Sequence, residues 1–289
     1  MAEVTSGETI RPLQEADLER LEELSGQVGF NQTRADWKRL LRLAPDGCFA
    51  ATRGGRVVAT TTTTAYAGRL AWVGMVVVDE SFRRLGIGSR LVEHALNHLD
   101  SAHGIRNVAL DATVLGKQVY DRYGFVEQYQ VHRLHGEASA VDATTLVGVR
   151  PMSPTDLPAV TAMESAALGV PRATLLEDLC RTFPEGCSVV EDEGRLIAWS
   201  FRRPGARRWH IGPVGARDQR AADLAFQAAI SPIPGAPIEL DVPEGPRRAH
   251  LAKRFALTTA RSFARMVRGP SLPDPDGGTG YATVAPELG

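Results

Sequence analysis

The apolar positions in the first half of the chain change between two spacings, and this pattern predicts a mixed α/β fold. Helical spacing predicts four helices, at residues 16–24, 35–43, 89–99 and 116–123. Short runs rich in β-branched residues predict six strands, at residues 8–13, 47–52, 56–66, 70–78, 107–110 and 125–134. The threonine run Thr60–Thr64 fits an edge-like strand. We therefore expect a mixed, mostly antiparallel sheet flanked by helices.

The second half of the chain repeats the first. IRPLQEADLERLEEL (10–24) matches VRPMSPTDLPAVTAM (149–163), and PDGC and GRVVA match PEGC and GRLIA, all at an offset of 139 residues. Further along, WVGMVVV (72–78) lies over HIGPVGA (210–216), and LDAT (110–113) lies near LDVP (240–243). A period this long indicates tandem duplicated domains rather than a solenoid. We predict a first domain at residues 1–144, a second at 145–270 and a tail at 271–289.

The most informative stretch is VVVDESFRRLGIGSRL (76–91), where a predicted buried strand meets a predicted helix. A helix N-terminus has unpaired N–H groups and about half a positive charge, so it attracts phosphate. Gly86 and Gly88 have no Cβ, so a ligand can approach the backbone closely. Arg83 and Arg84 add charge that can pair with phosphate oxygens. A glycine turn with two solvated arginines is the alternative interpretation of the same residues.

The residues around this junction exclude two common phosphate-binding motifs and match a third. A Walker loop needs GK[ST], which does not occur in the chain, and a dinucleotide fingerprint needs a third glycine where Leu91 stands. The stretch instead resembles motif A of the GCN5-related N-acetyltransferases (GNAT family), through Val78, Arg83, Gly86 and Gly88, with Glu80 where proline is usual. A second signature of that family, Y-x-x-x-G-F, matches YDRYGF (120–125).

The resemblance implies that the first copy binds acetyl-CoA. The N–H groups from Arg84 to Ser89 would hold the CoA pyrophosphate, and Val76 and Val78 would pair with the pantetheine amides like an added strand. A backbone N–H at the same place would polarise the acetyl carbonyl. The implied cofactor-binding residues are Val76, Val77, Val78, Arg83, Arg84, Leu85, Gly86, Ile87, Gly88 and Ser89.

Tyr120 is the catalytic candidate that the resemblance implies. It would protonate the departing thiolate, whereas the alternative is an ordinary surface position on an amphipathic helix. Tyr123 and Phe125 are expected to pack in the core, and Gly124 is expected to mark the end of the helix.

Several positions leave the chemistry incomplete. The segment ATVLGKQ (112–118) has Thr113 and no asparagine where the family often has one. Asp111 is the nearest candidate for a general base, but capping of the next helix is the favoured role for it. Asp79 and Glu80 are expected to be solvated loop acids.

Histidine spacing raises a metal hypothesis that the sequence does not support further. His94 and His98 stand four residues apart on a predicted helix, but no third ligand is apparent. We therefore expect no metal.

The second copy has lost the candidate chemistry and resembles the divergent C-terminal domain of two-domain bacterial members of the family. AADLAF (221–226) stands where the first copy has RRLGIG (83–88), and Ala252 stands where Tyr120 would be. We expect this copy to shape an acceptor pocket or dock a partner, with Arg172, Trp209 and His210 as candidates for lining a cleft. In the tail, YATVAPEL (281–288) could add to the sheet as a short strand.

Composition excludes several function classes. The net charge is −1, and neither half of the chain is strongly basic, so nucleic acid is not an expected partner. The longest apolar runs fall short of the ~20 residues that a membrane-spanning helix needs. Three cysteines without a CxxC motif and an N-terminus without an apolar segment favour a reduced, cytoplasmic protein.

The expected function is an acetyl-CoA-dependent N-acetyltransferase. It would act by direct attack of a primary amine, from a small molecule or peptide, on the thioester. Two alternatives stay open: a non-catalytic acyl-CoA sensor or scaffold, and a CoA-dependent transferase with another acyl group or an alcohol acceptor.

Overall fold

A computed structural model describes residues 7–289, and its contacts divide the chain into two compact units. The first unit runs to Ala109 and includes Leu288, whose carbonyl oxygen accepts a hydrogen bond from the Tyr66 hydroxyl at 2.7 Å. The second unit comprises Leu110–Glu287 and Gly289. No helix of the described chain is both long enough and apolar enough to cross a membrane.

Within residues 7–109, the first unit is a sheet with three α-helices. Its strands are β1 (Glu8–Pro12), β2 (Cys48–Arg53), β3 (Arg56–Tyr66), β4 (Leu70–Val78) and the start of β5 (Val108–Ala112). Its helices are α1 (Leu18–Gln27), α2 (Arg34–Leu43) and α3 (Ile87–His103). The strands lie in chain order, antiparallel from β1 to β4, and β5 runs parallel to β4. Each element lies within a few residues of its predicted position.

Helix α3 forms because one of its faces is continuously apolar. The predicted face is confirmed, since its members are all buried: Leu91, Val92, Ala95, Leu96 and Leu99. Ile87 and Leu91 pack with Phe49 of β2 and Val58 of β3. This packing fixes the N-terminus of α3 directly after β4.

The threonine run lies in the interior of the sheet, so the predicted edge-like strand is wrong. β3 pairs with β2 on one side and β4 on the other, and each of Thr60–Thr64 is at most 2% exposed. The hydroxyl of Thr60 donates to the Met75 carbonyl at 2.7 Å, and that of Thr63 donates to the Gly47 carbonyl at 3.0 Å. Threonine tolerates burial when its hydroxyl finds a main-chain acceptor, which a pattern of residue types does not reveal.

The second unit is a larger sheet with five helices. Its strands are β6 (Val126–Glu137), β7 (Val149–Pro151), β8 (Cys187–Asp192), β9 (Arg195–Arg203), β10 (Trp209–Ala216), β11 (Pro237–Pro243), β12 (Thr258–Arg268) and β13 (Gly280–Ala282). Its helices are α4 (Val114–Asp121), α5 (Leu157–Leu168), α6 (Ala173–Thr182), α7 (Gln219–Ile230) and α8 (Pro246–Arg254). The strand order is β12-β6-β11-β10-β9-β8-β7, with β13 beside β10.

Strand β6 explains why the contacts divide at residue 109 rather than at the end of the first repeat. β6 is the predicted closing strand of the first copy, yet it pairs antiparallel with β11 and β12 of the second copy. The domain limits predicted above come from the sequence repeat, whereas the two units come from contacts. The predicted limits therefore stay predictions.

Asp111 does not cap the helix that follows it, so that expectation is wrong. Thr113 caps α4, and its hydroxyl oxygen accepts from the Gly116 N–H at 3.2 Å. The Asp111 side chain is fully buried, and its two oxygens accept from Arg265 of β12 at 2.8 and 2.7 Å. Burial raises the pKa of Asp111 in spite of the nearby Arg265, whereas Asp111 and Tyr129 raise the pKa of the Arg265 guanidinium in spite of its burial. Two parallel hydrogen bonds from the guanidinium to both carboxylate oxygens are the geometry of a charged pair, so we assign the pair as ionic.

We expect Asp111→Asn to lower the free energy of unfolding by about 3 kcal/mol, because it leaves a buried guanidinium without its counter-charge. Urea denaturation of the variant and the wild type measures this change. Asp121→Asn, at an exposed position of α4, is the matched control and should have an effect within about 0.5 kcal/mol. Equal stabilities of Asp111→Asn and the wild type would contradict an ionic pair.

Candidate functional site

A bulge interrupts β4 next to the predicted site. The register between β3 and β4 shifts between Thr60 and Thr62, so Met75 and Val76 lie opposite a single residue of β3. Met75 has a φ of +48°, which non-glycine residues rarely adopt. Bulges of this kind redirect the main chain and are frequent beside functional sites.

Strand β4 continues past its pairing with β5. That pairing joins Ala71 to Val108 and Trp72 to Ala109. Further along β4, Val76 and Val78 are half-buried, whereas Val77 between them is buried. The end of β4 therefore has one partly open face, which suits main-chain pairing with an extended ligand.

The turn after β4 presents main-chain N–H groups at the start of α3. The N-cap is Gly86 with a φ of +75°, and Arg84 also has a positive φ, of +64°. Since Gly86 has no side chain, it offers no oxygen to cap the first turn of α3. Left-handed residues in a turn of this kind direct successive N–H groups to one concave side, which binds anions. These N–H groups include those predicted to hold the pyrophosphate.

Gly88 makes the open face of β4 possible. A Cβ at this position would lie 3.4 Å from Cγ2 of Val78 and 4.0 Å from Cγ1 of Val76. A larger side chain would therefore cover the half-buried faces of both valines. The residues thus fit a CoA arm that runs along β4 to the N-terminus of α3.

The arginines of the junction differ in how they are held. Arg83 and Arg84 are both exposed, as expected for phosphate ligands. The Arg83 side chain donates to the Val78 carbonyl at 3.3 Å and lies 3.4 Å from Glu80. Arg90, one turn into α3, forms a bidentate pair with Glu8 at 2.8 Å.

Asp79 is structural, so the expectation of a solvated loop acid is wrong for it. It is only 5% exposed, pairs with Arg20 of α1 and accepts the Ser81 N–H at 2.9 Å. Burial would raise its pKa, but the Ser81 N–H and Arg20 more than offset this and lower it. Glu80 is exposed, as expected. The carboxylate of Asp79 therefore fixes the turn that leads into α3.

Tyr120 lies near the end of α4 in the second unit. It is half-buried, and its ring meets the edge of the buried Phe125 ring at 6.0 Å. Loss of solvation raises its pKa to about 12, so the phenol is protonated at neutral pH. Gly124 follows the helix with a φ of +78° and marks its end, as predicted.

Two groups of residues near the candidate positions were not singled out by the sequence analysis. Val114 and Leu115 are 84% and 93% exposed at the start of α4, which is unusual for large apolar side chains. The hydroxyls of Thr62 and Thr64 are buried and have no hydrogen-bond partner among the described residues. Sequence shows the threonine run but not which hydroxyls lack acceptors.

The second copy fills the corresponding helix terminus with its own side chain. Asp218 caps α7, and its carboxylate accepts the Ala221 N–H at 3.0 Å. The pKa of Asp218 is lowered, mainly by this bond. A capping carboxylate takes the place that a phosphate would need, in agreement with the predicted loss of the phosphate site.

Of the three cleft candidates in the second copy, Arg172 lines a cavity. His210 is buried 3.6 Å from Glu239, and Trp209 packs against Phe183 with ring centroids 5.9 Å apart. The cavity beside Arg172 has a volume of about 40 Å³. Three polar atoms on its wall have no partner in the described part of the chain: Oε2 of Glu164, Nε1 of Trp199 and Oγ1 of Thr283. A few water molecules fit this space, whereas a CoA arm does not.

Comparison with known families supports the repeat. Residues 11–125 match the profile of the acetyltransferase (GNAT) family, and residues 160–282 match that of an acetyltransferase (GNAT) domain. The chain is 30% identical to the uncharacterized N-acetyltransferase YitH of Bacillus subtilis, over 61% of the chain and 61% of that protein. The alignment thus spans about three fifths of this relative. The chain is also 26% identical to the holothin acyltransferase of a Pseudoalteromonas strain, over 72% of the chain and 69% of that protein.

The crystal structure of an acetyltransferase candidate from Pyrococcus horikoshii has the same fold. It covers 100% of this chain and 98% of its own, with a TM-score of 0.82 and 23% identity. This agreement shows the fold, and the two profile matches in chain order identify the family. The chain is a two-domain member of the GNAT acetyltransferase family.

Proposed function

We propose that the protein is an acetyl-CoA-dependent N-acetyltransferase that acts on a primary amine of a small molecule or peptide. The observation that carries the proposal is the junction of β4 and α3. There an uncapped helix N-terminus follows a bulged strand, and Gly88 leaves the faces of Val76 and Val78 open. The proposed CoA-binding residues are those predicted from motif A.

The junction offers two kinds of contact to the cofactor. The N–H groups from Arg84 to Ser89 and the exposed arginine pair would hold the pyrophosphate. The main chain of Val76 and Val78 would hold the pantetheine amides. When bound, acetyl-CoA supplies an acyl thioester whose carbonyl the amine can attack.

The chain has to polarise that carbonyl and protonate the sulfur. A main-chain N–H at the bulge is the proposed donor to the carbonyl oxygen, because a fixed donor stabilises the charge that develops there. Tyr120 is the proposed proton donor to the sulfur. Its raised pKa keeps the phenol protonated until the C–S bond breaks and a thiolate forms. The amine must be neutral to attack, and Asp111 is occupied by Arg265. We therefore propose that the amine gives its proton to solvent, either in the site or before it binds.

Family membership supports acyl transfer more strongly than it supports acetyl transfer. The Pseudoalteromonas relative is named as an acyltransferase of holothin. A panel of acyl-CoA thioesters therefore belongs in the functional test beside acetyl-CoA.

We expect Gly88→Val to weaken acetyl-CoA binding by about tenfold or more, because the new side chain would cover Val76 and Val78. Calorimetric titration with acetyl-CoA measures the affinity, and a thermal melt checks the fold. Gly26→Val in α1 is the control, since a Cβ there meets nothing within 4 Å. If Gly88→Val is folded and binds acetyl-CoA with wild-type affinity, the CoA arm does not run along β4.

We expect Tyr120→Phe to lower kcat by about 100-fold while the KM for acetyl-CoA changes little, because only proton donation is lost. Free-thiol release is followed over amino acids, polyamines, aminoglycosides and peptide N-termini, with Tyr123→Phe as the control. An unchanged kcat in Tyr120→Phe would exclude its role. Tight CoA binding without amine-dependent release, in every variant and with every thioester, would favour the acyl-CoA sensor.

A further inference from the structure

The second copy repeats the divergence of strands seen at β4. β10 pairs with β11 through Trp209 with Ile238 and His210 with Glu239. The alignment of WVGMVVV with HIGPVGA places His210 over Trp72, Val214 over Val76 and Ala216 over Val78. The two copies therefore end their parallel pairing at equivalent residues. Beyond that point, the main chain of β10 needs other partners.

The tail of the chain supplies these partners. β13 pairs with β10 through Val214 with Ala282 and Gly215 with Gly280. The Ala216 N–H donates to the Thr279 carbonyl at 2.8 Å. On the other side, the Thr283 N–H donates to the Asp241 carbonyl of β11 at 2.8 Å. Residues 279–283 thus bond to the main chains of both diverging strands. Of the strand predicted at 281–288, only Tyr281 and Ala282 lie in β13.

Arginine side chains hold the tail in this position. The Arg247 guanidinium lies 4.5 Å from the ring centre of Tyr281. It donates at 2.6–2.9 Å to four main-chain oxygens, those of Pro275, Asp276, Gly278 and Gly280. Arg203 donates to the Val284 carbonyl at 3.0 Å, and Arg172 donates to the main-chain oxygen of Gly289 at 2.7 Å. The tail is therefore a built part of the second unit.

We propose that residues 279–284 occupy, in the second copy, the place that the pantetheine arm takes in the first. The proposal rests on the proposed role of Val76 and Val78, whose counterparts Val214 and Ala216 bond to or pair with the tail. An extended peptide and a pantetheine arm both present amides that can pair with a strand edge. The second copy is thus closed by a covalently attached substitute, and the chain binds one acyl-CoA.

A cleavable form of the full chain tests whether the tail occupies a groove. A protease site inserted between the exposed Asp276 and Gly277 allows the folded protein to be cut there. We expect the cut tail to stay bound through gel filtration. A labelled peptide of residues 279–289 should bind to the cut and stripped protein but not to the intact one. Arg247→Ala should speed release of the cut tail at least about tenfold, whereas its neighbour Arg248→Ala, which contacts Thr259, should not. Equal peptide binding by cut and intact protein would overturn the proposal.

Competition with pantetheine tests the substitution itself. The cut protein carries Gly88→Val, whose side chain covers Val76 and Val78, so that the proposed pantetheine place of the first copy does not contribute. Pantetheine should displace the labelled peptide from this protein, and the intact Gly88→Val protein should bind no pantetheine. If the peptide stays bound at saturating pantetheine, the tail and pantetheine do not share one place, and the proposal is overturned. Titration of the intact wild-type protein with acetyl-CoA tests the proposed function by itself. Absence of acetyl-CoA binding there would contradict the proposed function, whereas the peptide experiments test only the tail.

A second inference comes from three side chains of the first unit. Nε2 of His98 and Nε2 of His103 lie 3.2 Å apart at the end of α3. Oδ2 of Asp46, in the turn before β2, lies 3.4 Å from the His103 nitrogen and 3.8 Å from the His98 nitrogen. Three potential ligand atoms thus surround one point.

The three distances lie close to those around a tetrahedral ion. Zinc binds imidazole nitrogen and carboxylate oxygen at about 2.0–2.2 Å, which places neighbouring ligands of a tetrahedron about 3.3–3.6 Å apart. The separations of 3.2 and 3.4 Å are near this range, and the 3.8 Å between Asp46 and His98 has to shorten slightly when an ion binds. The His98 ring is held against Phe49 of β2, with centroids 5.1 Å apart. A carboxylate and two imidazoles suit a divalent transition metal.

We infer that Asp46, His98 and His103 bind a divalent transition metal of the zinc type, with one position left for water. By sequence spacing, His94 and His98 form a candidate pair without a third ligand. The structure instead groups His98 with His103, five residues later, and with a turn before β2. The ion would join the end of α3 to that turn.

Zinc titration of untagged, chelator-stripped protein tests this site. Competition with a chromogenic chelator should give one equivalent bound per chain. His98→Gln, His103→Gln and Asp46→Asn should each weaken binding at least about tenfold. His94→Gln is the matched control on the same helix and should bind as the wild type does. Absence of saturable binding, or equal binding by all variants as expected of an adventitious ion only, would overturn the inference.

Discussion

The main-chain groups at the end of a central strand constrain the whole architecture. β4 and β10 each pair with their parallel neighbour at two equivalent positions and then continue without it. Buried N–H and C=O groups without partners are costly, so something has to pair with them. In the second copy the tail meets this requirement. In the first copy, the proposed function assigns this pairing to pantetheine.

The two helices that follow these strands differ in the same way, since only the helix of the second copy is capped by a side chain. α3 begins at a glycine with no side chain to cap it, whereas α7 begins under the carboxylate of Asp218. A capping carboxylate and a bound phosphate use the same N–H groups and the same end of the helix dipole. If the proposed function holds, Asp218 and the tail meet in the second copy the main-chain groups that pyrophosphate and pantetheine would meet in the first.

Local features of this molecule could be predicted from sequence, because apolar spacing and glycines act over a few residues. The face of α3 and the end of α4 at Gly124 belong to this class. Long-range partners could not be predicted. The acceptors of the buried threonines and the pairing of Asp111 with Arg265, 154 residues later, depend on how strands are arranged in space. The roles of Tyr120 and of the motif A residues stay predictions, because they concern a ligand.

Strand β6 gives a physical reason for retaining a copy without catalytic residues. Both of its neighbours, β11 and β12, come from the second copy, and its Arg133 forms a buried bidentate pair with Asp241 at 2.8 Å. Asp111, at the end of β5, depends in the same way on Arg265 of β12. An isolated first copy would leave one strand without either neighbour and two buried charges without partners. The second copy therefore supplies both neighbours of β6 and the partners of two buried charges, and this structural role needs no ligand in the second copy.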